Sequence, residues 1–392
     1  MKQILIPKGA NLSASPVILL GFCIYTAQPW AAEWSVSNAI DSEVKYNDNR
    51  LFSPGKKQDS IGSISSVSSQ LLREAEGALL KIAPKYGIER YDDSRNDDET
   101  IWLNMALKAE QQQSTWGLNS SYKRENILTN EFLITQLPIV FETDKPRNEW
   151  RVSPAYGYLI GPASTVFFSM AYADISYEGA ARTALVNYTS TNMSLGYEKA
   201  ISPNTKVTFS TFGLNLKTEI KVQETTGFGG EVKYSKELSD VSGFAVSSGA
   251  QENQRRYGLS HTENRETSWK YGFEYRNTMM YSQANISLSR LFEPGALGFL
   301  VERDVFTAGY RADIAQDHSI LSTLHTSYNK ERQETNVKDW VYGYAQIQYR
   351  WRFRTSLSLA ASYRYSRAFY QDTDVDIDGN QFMVTIRYVH KG

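Results

Sequence analysis

The sequence predicts an all-β protein, a closed antiparallel transmembrane β-barrel of about 18 strands. Three observations predict it. Beyond Glu33, apolar and polar residues alternate with a period of two, which puts them on opposite faces of a strand. The connectors between these segments are alternately short and long. The chain of 392 residues carries 25 Tyr, 17 Phe and 8 Trp, 13% aromatic, yet its mean hydropathy is −0.45. Two faces that meet different solvents produce that average, one parity toward lipid and the other toward a wet lumen.

The N-terminus reads as an address. Lys2 and Lys8 are the only charges in the first 32 residues, an apolar run follows from Pro16 to Ala27, and Ala31 and Ala32 precede Glu33. A basic head, a short apolar stretch and a small-residue exit predict a secretory signal at 1–32, with the barrel at 33–392. The single cysteine, Cys23, falls inside that signal, so the exported chain would contain none.

The first strand, near 34–46, sets Trp34, Val36, Ile40, Val44 and Tyr46 against Ser35, Ser37, Asp41, Glu43 and Lys45. Strands follow near 61–73, 77–91, 100–110, 115–128, 149–160, 165–177, 187–200 and 205–219. The second half continues near 226–238, 242–256, 267–277, 281–291, 303–313, 318–331, 339–350, 355–369 and 380–389. Many approach or exceed ten residues, whereas strands of soluble proteins usually have about five or six. Short connectors such as 74–76, 161–164, 201–204 and 315–317 alternate with longer polar ones such as 47–60, 92–99, 129–148 and 371–379. Short turns on one rim and long loops on the other describe an outer-membrane barrel of a Gram-negative bacterium. Leu71, Leu72, Ala75, Ala78, Leu79 and Ile82 also fit a helical stripe, and Pro84 and Pro154 interrupt strands, so a count of 16 stays open. A soluble sandwich or propeller would need two-sided burial or a blade repeat, and neither pattern is visible.

Composition excludes other classes. Lys+Arg of 42 against Asp+Glu of 43 gives a net charge of −1, which offers nucleic acid no electrostatic footprint. One cysteine excludes a disulfide framework and a cysteine-rich zinc module.

Three stretches carry a family resemblance: Tyr46 to Asn49 (YNDN) at the end of the first strand, the hairpin SISSVSSQLLREAEGALLKIAPKYGIERY, and RVSPAYGYLI at 151–160. With them the chain resembles the outer-membrane β-barrel porins found beside exosortase and exopolysaccharide gene clusters. The resemblance implies a barrel of unassigned chemistry, with exopolysaccharide export components among its partners and no catalytic residues.

Candidate functional residues are few. By parity Arg350, Arg364 and Arg387 project into the lumen from three consecutive strands, and residues 340–371 contain no Asp, Glu or Lys. Rows of arginine on a pore wall favour anions, because the guanidinium stays charged and grips carboxylate or phosphate. Lys270, Glu274 and Arg276 line the lumen by the same parity. Pairing of the arginines with lumen acids such as Glu274 across the channel is the competing expectation. Asp374, Asp376 and Asp378 stand on alternate positions before Gly379, the first half of a calcium loop at 371–379, although Thr385 stands where the bidentate acid belongs. Such a Ca2+ would also suit bridging to lipopolysaccharide phosphates. Gln381, Ile386 and Tyr388 match the C-terminal signal read by the barrel-assembly machinery, with Met383 in place of its glycine. The histidines, His261, His318, His325 and His390, lie in no hydrolase motif. The expected function is passive passage of small or polysaccharide-related solutes. The alternatives are a non-conducting barrel serving as a structural partner in polysaccharide export and, less favoured, an outer-membrane hydrolase. The segment LITQLPIVF within 129–148 is the expected constriction.

Overall fold

Eighteen strands account for the described chain: β1 (Glu33–Asn47), β2 (Ser60–Ala75), β3 (Ala78–Tyr91), β4 (Asp98–Glu110), β5 (Ser114–Asn126), β6 (Pro146–Gly161), β7 (Ser164–Tyr177), β8 (Tyr188–Ser202) and β9 (Thr205–Thr218), then β10 (Gln223–Ser239), β11 (Ser242–Tyr257), β12 (Glu263–Thr278), β13 (Ser282–Pro294), β14 (Leu300–Ala315), β15 (His318–Arg332), β16 (Val337–Arg354), β17 (Leu357–Tyr370) and β18 (Val375–Lys391). The computed structural model describes residues 33–50, 57, 59–93, 97–126, 146–178, 185–219, 223–257, 263–295, 297–332, 337–371 and 373–391. The signal at 1–32 and most of the 129–148 connector lie outside these residues, as does His261.

Every strand pairs antiparallel with its sequence neighbours, and β1 pairs with β18 from Ser37 opposite Lys391 to Asn47 opposite Gln381. The sheet therefore closes on itself with a neighbour on both sides of every strand, the condition a β-structure must meet to span a bilayer. Short turns join the strands on the rim where β1 begins and β18 ends, and the longer connectors lie on the other. The count is 18 rather than 16 because the helix-like stripe at 71–82 is a hairpin. Gly77 turns it with φ 68, a left-handed conformation that costs glycine little. Pro84 and Pro154 each interrupt a ladder, between β2 and β3 and between β6 and β7, because proline has no N–H to donate.

Residues opposite one another in a ladder share a face. On β1 the outward face carries Trp34, Val36, Ile40, Val44 and Tyr46, all exposed. Trp34 and Tyr46 are twelve residues apart, which at about 3.3 Å per residue and a tilt near 40° is a height of roughly 30 Å. That matches a bilayer's apolar band with an aromatic at each interface. Cross-strand aromatic pairs also line the outward face of β5 and β6: Trp116 with Tyr156, centroids 4.3 Å apart, nearer the short-turn rim, and Tyr122 with Trp150, 6.2 Å, six residues nearer the loops. A closed even-stranded barrel with an apolar outer band is an outer-membrane structure. Charge on that band is costly. Ile40→Arg, near its midplane, is expected to cost about 2–4 kcal/mol, read by urea unfolding in vesicles, whereas Ser37→Arg on the inward parity of the same strand should cost far less.

Candidate pore lining

The inward face is built by the alternate parity of each strand. Arg350 on β16, Arg364 on β17 and Arg387 on β18 all occupy it: the ladder sets Gln346 opposite Arg364, Arg364 opposite Gln381, and Ser358 opposite Arg387. Arg352 shares the parity of Arg350, and it belongs with the arginine row although the sequence reading left it out. No inward strand position of β16, β17 or β18 is Asp or Glu, because Asp339, Asp376 and Asp378 all fall on the outward parity. Arg364 lies 3.8 Å from the centroid of the Tyr344 ring, a cation–π contact. Arg387 approaches Asp41 of β1 at 3.6 Å.

The β10–β12 wall differs. Lys270 pairs with Glu231 at 2.8 Å, Glu274 with Lys233 at 3.3 Å, and Arg276 with Glu237 at 2.5 Å. Each cation there has a carboxylate two strands away, across β11. Glu274 therefore meets Lys233 rather than the arginine row, because the ladder places β10 beside it through β11 and β16–β18 lie elsewhere on the wall.

A third sector, on β5 and β6, went unmarked in the sequence. Arg147 is buried between Glu149 and Glu125, Arg151 pairs with Glu149, and Lys123 with Glu125 at 2.6 Å. The signal was present as charges at alternate positions, Arg147, Glu149 and Arg151, separated by Asn148 and Trp150. Glu149→Gln leaves the Arg147 guanidinium undercompensated, and a loss of about 3 kcal/mol is expected in the unfolding free energy of the refolded barrel, read by urea titration. Beyond this network, Lys81 and Arg151 share a wall basin of about 440 Å³ with Asn104, Asn119 and Ser121.

The expected constriction, LITQLPIVF, lies outside the described residues, and among the described ones another segment narrows the lumen. The tip joining β13 to β14 bends inward and is closed by Gly295 N–H donating to the Phe299 carbonyl at 2.8 Å. Leu297 and Leu300 of this tip pack with Ile175, Tyr177, Tyr188, Leu214 and Leu216 of β7–β9, and Phe292 and Phe299 join them. Gly298 has φ 79, and a Cβ there would stand 2.8 Å from Thr218 Cγ2. The adjoining Val301 packs with Trp340, Tyr342, Ala368, Tyr370 and Ile377 on β16–β18. One segment thus touches two apolar patches of the inner wall and narrows the loop end of the lumen. The run LGFL at 297–300 was the available sign, since extracellular loops are usually polar.

The acidic segment is a correction. Expected as a loop through Gly379, it enters β18 at Val375, with Asp374 in the turn at φ 52. Its D-x-D alternation is strand periodicity. Asp376 makes a two-pronged pair with Arg367, at 2.9 and 2.6 Å, and Asp378 meets Lys57 at 2.9 Å. The carboxylates face cations, and no group of three or more metal-ligating side chains occurs among the described residues.

On β18 Gln381 faces inward, while Ile386 and Tyr388 face outward beside Ser42 and Ile40 of β1. His325 is inward, 3.2 Å from Thr307 Oγ1 and stacked on Tyr344 at 5.1 Å. His318 lies against Tyr349 at a strand end.

Neither a protein-family model nor a curated protein sequence matches the chain. Solved structures of similar shape do. OpdQ of Pseudomonas aeruginosa is 10% identical with a TM-score of 0.46, covering 92% of this chain and 99% of its own. OccAB3 of Acinetobacter baumannii is 8% identical with a TM-score of 0.47, covering 92% and 100%. The ferric citrate transporter FecA is 10% identical with a TM-score of 0.47, covering 86% of this chain and 60% of its own.

Proposed function

We propose that the barrel is a passive diffusion channel with an anion-favouring lumen, for small solutes or solutes related to an acidic polysaccharide. The observation that carries this reading is the β16–β18 wall, which presents Arg350, Arg352 and Arg364 inward and no carboxylate. At this strand number side chains do not fill the interior, so water and solute have room. The lumen's work is electrostatic selection, and no catalytic residue is needed. Barrel assembly would read β18, and lipopolysaccharide would contact the loop rim. Single-channel recording of the refolded mature chain in planar bilayers tests the reading. Discrete conductance steps with a reversal potential on the chloride side are expected. A cation-selective channel would overturn the selectivity.

The apolar tip on the loop end favours a second reading, a barrel that does not conduct and serves as the outer-membrane partner in exopolysaccharide export. Silent bilayers containing correctly folded, heat-modifiable protein would favour it.

A further inference from the structure

The inward bend of the β13–β14 tip leaves a seam in the wall. β12 and β13 pair at only seven positions, from Gly272 opposite Ser289 to Thr278 opposite Gln283. Other neighbouring strands pair at ten or more positions, as between β4 and β5. Continuing the register would set Lys270 opposite Leu291 and Trp269 opposite Phe292, but those pairs do not form. An unpaired strand edge in a membrane barrel leaves backbone groups without partners, so a natural sequence retains one only at some cost.

The seam lies at the depth of the outer interface. Trp269, 70% exposed, is outward on β12, and Tyr271 follows it toward the bilayer interior. Side chains bridge the seam in place of the backbone. The Arg290 guanidinium of β13, anchored on Asp304 and Glu302 of β14, reaches across the seam to lie 5.1 Å from the Tyr271 ring of β12. Ser268 donates to Glu302 at 3.4 Å.

Behind the seam is a cavity of about 520 Å³. Phe212, Leu214, Leu291 and Phe292 form its apolar side, and Asn119, Ser169 and Asn192 belong to a polar side that also carries Lys270 and Glu293. Lys270 and Leu291, which would have paired across the seam, both line it. The apolar side suits an acyl chain, and the polar side, with one cation and one carboxylate, suits a polar head.

We propose that the β12–β13 seam is a lateral portal through which the acyl chain of an outer-leaflet amphiphile reaches the lumen beneath the β13–β14 tip. Side-chain latches open at lower cost than a continuous ladder, since no row of backbone hydrogen bonds must break. The portal does not depend on ion conduction.

Photo-crosslinking tests it. A benzophenone amino acid is placed at Leu291, beside the seam, or at Ser287, inward on the same strand where the ladder is closed. Each protein is refolded into phosphatidylcholine vesicles with radiolabelled acyl chains, and heat-modifiable migration confirms folding. Lipid label at Leu291 at least five-fold above Ser287 is expected. In a Ser268→Cys, Glu302→Cys background, bridging the thiols with a cleavable bifunctional reagent should return Leu291 to the Ser287 level, and reductant should restore it. Equal label at the two positions, or label at Leu291 that bridging leaves unchanged, overturns the portal. Should the double-cysteine variant fail to fold, the Leu291 to Ser287 ratio decides alone.

Discussion

Replacing Arg350, Arg352 and Arg364 together with glutamine is expected to remove the anion preference of the channel. A unit charge about 10 Å from a permeating ion in water contributes roughly 0.4 kcal/mol, about a factor of two in local anion concentration. Screening at 0.1 M salt reduces three such charges to about a twofold preference in all, and at 0.01 M salt they give about fivefold. The native channel should therefore become more anion-selective as salt is diluted, and the triple glutamine variant should show neither the preference nor its salt dependence. Reversal potentials across a KCl gradient at the two salt levels check this. A variant with unchanged selectivity would place the determinant elsewhere on the wall. The prediction falls on this sector because β10–β12 cations are matched by Glu231, Glu274 and Glu237, whereas the inward positions of β16–β18 hold no acid.

Releasing the β13–β14 tip is expected to raise conductance. Leu300 is fully buried against β7–β9, and Leu297 nearly so. Aspartate at both positions places two carboxylates in an apolar contact, which costs several kcal/mol unless the tip leaves it. The double variant should therefore adopt the open arrangement, with single-channel conductance several-fold above the native barrel. Gly298→Ala is the milder form. The left-handed backbone adds about 1–2 kcal/mol for a residue with a Cβ, and the new carbon would meet Thr218. A shift of that size moves the closed-to-open ratio about 5- to 30-fold, visible as longer open times at unchanged unit conductance. Unchanged conductance of the double aspartate variant together with unchanged open times of Gly298→Ala would mean that the tip does not obstruct the solute path.

Much of the wall was legible in the chain because a strand repeats every two residues. Once Trp34, Val36 and Ile40 face lipid, Asp41, Glu43 and Lys45 must face inward. The same rule placed Arg350, Arg364, Arg387, Lys270, Glu274 and Arg276 on the inner parity without knowledge of any neighbour. It also explains why the strand begins at Val375 rather than after Gly379. Carboxylates on alternate positions fit a loop and a strand alike, and Arg367 on β17, which pairs Asp376, extends the strand past them. A cross-strand partner ten or so residues away is invisible to a reading of one segment.

The sequence alone determined the fold class, the alternation of short and long connectors and the face of most strand side chains, because alternation and turn spacing are local properties of the chain, whereas the count of 18 over 16 came from the structure. Tertiary structure alone decided which charges are neutralised, where the lumen narrows and where the wall is unzipped. Those depend on register between strands and on contacts across the lumen, such as Leu300 against β7–β9 and Tyr271 beside Arg290. Partner choice across a closed sheet is set by the whole ring at once, so no stretch of residues carries it by itself.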